Sequence, residues 1–227
     1  MLVVGLGYGY WSVRHRKEEK AAADALKYAI LGLWNYNDAH GCLPTPALFD
    51  DDGNPRASWR FLICNYIEAT NWYIPDETKP WIRPDKTEID LHATAESASL
   101  FTFWETSARG ATRIAAITGP GSAFDEDNRC SFAQIDGDTI VLAEVANTDV
   151  PWTEPGDYTW QVQATGTVPA GSMKIGNAKG QAFHVGFQNG DVWALAAETP
   201  LSDVSRFFTV KGARENDRET ILGRWRR

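Results

Sequence analysis

Glu144 is the residue whose surroundings most demand a chemical explanation. It sits inside "TIVLAEVA", a run apolar enough for a strand buried on both faces. A carboxylate there must be paired, or it shifts its pKa and becomes neutral. Two readings stay open: a buried pair, or a side chain that reaches a sheet edge or a loop backbone. A second grouping is Trp152-Thr153-Glu154, stiffened by Pro151 and Pro155. An aromatic ring and an acid on a rigid loop suit a sugar or a protein partner. The favoured alternative is a plug at the end of a sheet.

A third stretch, "AAITGPGSAFDED", enters a glycine-rich turn as phosphate-cradling loops do. It lacks the G-x-G-x-x-G order, and Pro120 removes a backbone N–H that a phosphate would need. No helix is predicted after it, and Asp125-Glu126-Asp127 would repel an anion. Gly119-Pro120-Gly121 is therefore read as a turn, with no nucleotide expected. "DEDN", residues 125–128, offers oxygen ligands to calcium, but a solvated acidic turn explains it as well. "FDDDGNPRAS" fails as a calcium loop, because Leu48 stands five positions before Gly53, where an EF-hand needs aspartate.

Other reactive residues give little. His15, His40, His92 and His184 show no metal-ligand spacing. Cys42, Cys64 and Cys130 form no C-x-x-C pair, and their odd count leaves at least one free thiol. There is no G-x-S-x-G elbow. No catalytic residue, metal or cofactor is expected. Glycosidase-like carboxylate pairs are spatial and carry no signature of their own.

The elements that must position these residues fall into two halves. From Arg16 to about Asp38 apolar residues recur at three- and four-residue steps (Ala22, Leu26, Ile30, Leu33, Trp34), which predicts an amphipathic helix. Gly41, Pro44 and Pro46 end it. Ser58 is placed to cap a short helix over 59–70, and Pro84 to open another. The second half is strand-like: "ATRIAAIT", "DTIVLAEVAN", "DYTWQVQA" and the hairpin "AFHVGFQNGDVWALAA". Taking Asn189-Gly190 as a two-residue turn sets Gln188 opposite Asp191 and Phe187 opposite Val192. Phe183, Val185, Phe187, Val192, Ala194 and Ala196 then share one face, with His184, Gln188, Trp193 and Leu195 on the other. A short helix capped by Ser202 follows. Helices first and strands later predict an α+β class, with the long N-terminal helix packed on an antiparallel sheet.

With 227 residues the chain can bury one substantial core, and its net charge of −8 argues against nucleic-acid binding. The opening "MLVVGLGYGYWSV" is thirteen residues, short of the roughly 17–25 that span a bilayer. Residues 1–15 therefore read as the surviving end of a membrane anchor or as a strand. Residues 16–212 read as a single α+β domain and 213–227 as a polar tail.

Several ordered blocks resemble a large planctomycete family, the domain of unknown function 1559. These are "TRIAAITGPGSAF" with Gly119-Pro120-Gly121, Ile140 to Ala146, and Val150 to Pro155. Upstream, "ALKYAILGLWNYNDAHGCLP" and "DGNPRASWRFLICNYIE" fit the same pattern. Downstream, "GQAFHVGFQNGDVWAL" and "LSDVSRFFT" resemble its closing hairpin and helix. The resemblance covers roughly residues 20–212. It implies a pseudopilin-type protein: a prepilin-like leader, a long hydrophobic helix and an extracytoplasmic domain in the cell envelope. The basic residues after the apolar run point the other way, to the cytoplasm. The family's C-terminal signature, His-x9-Asp-Gly, appears here as Lys179 and Asn189-Gly190. Lys179, in the histidine's place, becomes the expected partner of Glu144.

These readings converge on a non-enzymatic, membrane-anchored envelope protein that works by self-association or contact with other envelope proteins. A glycan- or peptide-binding module using Trp-bearing loops is the alternative. A carboxylate-dependent hydrolase is the weaker one.

Overall fold

The computed structural model describes residues 4–53, 55–67, 100–101, 111–125, 127, 131–146, 148–160, 173–177 and 179–227, and the side chains from Glu19 onward except Pro55. The expected helix at Pro84 and the second half of "DYTWQVQA" lie outside these residues, as does Cys130.

Helix α1 runs Val4–His40, about 55 Å at 1.5 Å per residue. It begins well before the amphipathic pattern does, so residues 4–15 are helix rather than strand. The glycines of "VGLGYGYWSV" break the three-four spacing by which a helix is recognised in sequence. At the other end Gly41 donates its N–H to Asn37 O at 2.7 Å and closes the helix as expected. Ala22, Leu26, Ile30 and Leu33 are buried, whereas Trp34 stays 39% exposed.

Next come a small antiparallel pair, β1 (Ala47–Phe49) and β2 (Pro55–Ser58), and the one-turn helix α2 (Trp59–Leu62). Ser58 precedes α2 without capping it. Its hydroxyl donates to Trp152 O at 2.9 Å, so a tertiary partner wins over the local one.

The main sheet holds β3 (Ile114–Thr118), β4 (Ile140–Ala146), β5 (Tyr158–Thr159), β6 (Lys174–Ile175), β7 (Phe183–Phe187) and β8 (Val192–Leu195). Its order is β5-β3-β4-β7-β8, with β6 also on β4; β5 is parallel to β3 and the other pairs are antiparallel. α1 covers one face, where Leu26, Ile30 and Leu33 meet Ile114, Ala116 and Leu142. The C-terminal segments cover the other, where Phe207, Phe208 and Leu222 meet Ala115, Ile117, Val145 and Val185. The α+β class is thus realised in three layers, and β3 and β4 are buried along their whole length. That is why they read as apolar runs rather than alternating ones.

α1 and β7 approach closely because position 186 is glycine. A Cβ there would lie 2.7 Å from Ile30 Cδ1. The β7–β8 hairpin departs from the expected register by one residue. Its pairs are Phe183 with Leu195, His184 with Ala194 and Val185 with Trp193. The loop has three residues, Gln188-Asn189-Gly190, closed by Phe187 N–H to Asp191 O at 2.9 Å and Gly190 N–H to Phe187 O at 3.0 Å. Gly190, at φ +91°, takes the left-handed position of a bulged turn. One extra loop residue moves the whole of β8 over. Trp193 and Leu195 therefore join Phe183, Val185 and Phe187 on one face, and Val192 packs on the other.

Residues 213–227, read above as a polar tail, are folded. α3 (Leu201–Val204), which starts after Pro200 rather than Ser202, leads through a 3-10 turn to α4 (Val210–Glu215) and α5 (Arg218–Leu222). Thr209 caps α4 by accepting from Gly212 N–H, and Asp217 caps α5 by accepting from Thr220 N–H. Ala213 and Leu222 are buried against the sheet.

Candidate functional site

The site grows from a change of neighbour along β4. β7 pairs with β4 at Ile140, Leu142 and Ala143, with a bulge between Ile140 and Leu142. Further on, β6 takes over at Val145 and Ala146. Glu144 falls at the handover, where its backbone carbonyl accepts from Gly176 N–H at 3.0 Å. Its side chain is buried and fills the gap between the two partner strands.

Both carboxylate oxygens are occupied. Oε1 accepts from Asn177 Nδ2 at 2.7 Å. Oε2 accepts from His184 N–H at 3.0 Å and meets His184 Nδ1 at 2.8 Å. An ionised carboxylate only accepts, so it fixes the His184 tautomer with the proton on Nδ1. The backbone bond matters as much as the ring bond, because it satisfies a strand N–H at the point where β6 replaces β7 beside β4. Lys179 is not the partner. Its side chain is exposed, in the turn where its N–H donates to Asn177 Oδ1 at 2.8 Å. The family-position argument reached the right turn but the wrong residue: Asn177 and His184 hold the carboxylate.

Chemically, the arrangement holds an imidazole in one tautomer and leaves Nε2 with no hydrogen-bonding partner among the described residues. Catalytic and metal-binding histidines are oriented in the same way. Among the described residues, however, no group of three or more His, Cys, Asp or Glu could hold a metal ion.

The other predicted residues are placed apart from Glu144. Trp152 is buried and stacks on Phe101 with centroids 5.4 Å apart at 12°, and Thr153 is buried beside it. Thr153 O accepts from Ser58 N–H at 3.0 Å. The block is thus a plug between β2 and the core rather than a displayed contact loop. Glu154, half-buried, closes a turn by donating its N–H to Pro151 O at 3.0 Å. At Gly119-Pro120-Gly121 the amide a phosphate would use is taken by the chain itself, since Gly121 N–H donates to Asp125 Oδ2 at 2.8 Å. Asp125 Oδ1 also accepts from Asp127 N–H at 3.0 Å. Asn189-Gly190 forms the bulged turn described above. Cys42 and Cys64 are free thiols, and burial pushes the Cys64 thiol upward.

No family model, no curated protein and no solved structure matches the chain.

One buried centre was missed from the sequence. Arg60 is fully buried and its Nη2 lies 2.7 Å from Asp157 Oδ1. Arg60 also donates to Ile114 O from Nε at 2.9 Å and to Gly156 O from Nη2 at 3.0 Å. Asp157 Oδ1 accepts in addition from Trp59 Nε1 at 3.0 Å and Ala116 N–H at 2.8 Å. Burial lowers the Arg60 pKa and raises that of Asp157, and each charge opposes the shift of the other. The centre ties α2 to β3 and to the approach of β5. Its signal was a lone cation inside "WRFLIC", a placement that requires a buried partner.

Proposed function

We propose that this chain is an extracytoplasmic envelope protein of pseudopilin type that acts through assembly rather than catalysis. The observation that supports the reading is the outer side of α1. While Leu26, Ile30 and Leu33 are buried, Tyr28 and Leu31 remain 51% and 45% exposed, and Trp34, 39% exposed, borders them with its Nε1 bonded to Gln188 O. A helix with one apolar stripe on its own sheet and a second facing outward is suited to packing against another subunit. The residue blocks resembling the domain of unknown function 1559 family support the same reading. Anchoring in a membrane rests on that resemblance, since among the described residues no helix is long and apolar enough to cross one.

Sedimentation velocity at micromolar concentration tests the proposal. Self-association that is lost in Leu31→Glu with the fold intact is the expected result. A chain that stays monomeric across that range, alone and with envelope extract, would overturn it.

A further inference from the structure

The edge strand β8 is occupied by the chain's own residues Trp225–Arg227, which follow a 3-10 turn at Gly223–Trp225. Ala196 N–H donates to Trp225 O at 2.9 Å, Arg227 N–H donates to Ala194 O at 3.0 Å, and Leu195 bridges Arg226 in antiparallel sense. This is the bonding of a peptide added to a sheet edge. The side chains are complementary too. Arg224 Nη2 lies 2.8 Å from Asp203 Oδ2, and Trp225 Nε1 donates to that oxygen at 3.2 Å. Arg227 Nη2 lies 2.7 Å from Glu198 Oε1, and Arg226 Nη1 lies 3.9 Å from Glu219 Oε1. The Arg226 guanidinium also lies over the Trp193 ring, 4.5 Å from its centroid.

The edge therefore accepts a short basic segment that leaves a 3-10 turn at Gly223–Trp225 and becomes extended at Arg226, between a rim of Glu198, Asp203 and Glu219. Trp225 is half-buried against the C-terminal core cluster, and the rest of the segment is held at the surface. Arg226 and Arg227 are exposed, and the Arg227–Glu198 pair is more than half exposed on both sides. Such pairs are weak and screened by salt. The deep anchor of this region, Leu222, comes just before the segment and is fully buried. Residues 223–227 can thus leave the edge while the α5 anchor stays in place.

We propose that Gly223–Arg227 is an exchangeable ligand of the β8 edge, held in cis in the free chain and supplied in trans by a second copy. This deepens the assembly reading, on which it rests for the second copy, by naming a strand-addition surface distinct from α1. Displaced segments leave an acidic edge in one copy and a basic strand in another, which is the pairing that unprotected sheet edges invite.

A complementation experiment in the Leu31→Glu background, which silences the α1 surface, tests it. One chain keeps the segment but carries Glu198→Arg and Asp203→Arg on the rim; the other ends at Leu222 and keeps the rim. Each alone should be monomeric, and their mixture should form a 1:1 complex in sedimentation velocity, about tenfold weaker at high salt. A mixture that stays monomeric while both chains are folded by circular dichroism would overturn the proposal and leave assembly through α1 standing. Should the shortened chain fail to fold, hydrogen exchange at the Ala196 amide of the full chain decides. Exchange by local opening, well ahead of the core β4 amides, supports an exchangeable segment. Exchange only with global unfolding refutes it.

Discussion

The Glu144 carboxylate grips His184 twice, through the ring Nδ1 at 2.8 Å and through the backbone N–H at 3.0 Å, with both contacts on the same oxygen. The side chain of one strand thus stands in for a missing carbonyl of the next. Glutamine cannot do this cleanly. If its oxygen faces His184, its NH2 meets Asn177 Nδ2, which is itself a donor. Glu144→Gln should lower stability by about 1–3 kcal/mol, read as a shift in urea midpoint with the slope unchanged. An unchanged midpoint would mean that the carboxylate is not holding the strand junction.

The Arg60–Asp157 centre predicts an asymmetry between single and double variants. Asp157→Ala strands a buried guanidinium whose Nη1 already has no partner, and should cost about 3–5 kcal/mol. Arg60→Met combined with Asp157→Leu removes both charges and refills the volume, so it should cost clearly less than Asp157→Ala alone. Chemical denaturation of the two variants decides the matter. Equal losses would show that packing rather than charge governs the centre.

Contact between α1 and β7 is testable at Gly186. Gly186→Ala places a methyl 2.7 Å from Ile30 Cδ1, whereas the next atoms, Ile30 Cγ1 and Leu26 Cδ2, stand at 3.6 and 3.7 Å. The substitution should cost about 1–3 kcal/mol. Ile30→Val deletes the clashing atom, so adding it should restore much of the loss instead of adding its own. Strict additivity in thermal melts would contradict this geometry.

Two aspartates near the C-terminal layer give opposite pH dependences. The hydrogen bond from Arg224 holds Asp203 below the usual carboxylate range. Its contribution is present above about pH 4, the ordinary aspartate value, and is lost as pH falls through its folded value. Asp138 is raised by burial, against Arg218 and with the help of Asp136, Asp191 and Asp217. Ionised, it disfavours the fold, so its effect appears as pH rises from about 4 through its folded value. Melting curves from about pH 2 to about pH 6 should show Asp203→Asn removing the loss below about pH 4 and Asp138→Asn removing the decline above it. Parallel curves for both variants would refute these assignments.

Much of the scaffold was legible because its patterns are local. Leu26, Ile30 and Leu33 declare their stripe within three turns, and Gly41 marks its end. The partner of Glu144 was not legible, because His184 is forty residues away and only the β4–β7 register brings it in. The β7–β8 register hinged instead on one residue of the loop at Gly190, because the sequence "QNGD" does not distinguish between two- and three-residue loops. The C-terminal helices were missed for another reason. Thr209 and Asp217 are ordinary caps, but "ARENDRETILGRWRR" buries so few side chains, Ala213 and Leu222 chief among them, that charge hides its structure.

The pairing of α1 with β7 also sets an order of events during synthesis. Trp34 Nε1 donates to Gln188 O across 154 residues of chain. The helix precedes every strand of the sheet in the chain, so its inner stripe stays uncovered until β3, β4 and β7 have followed it. Such distant contacts close slowly and exposed apolar stripes invite aggregation, so α1 is the segment most open to misassembly before the sheet forms.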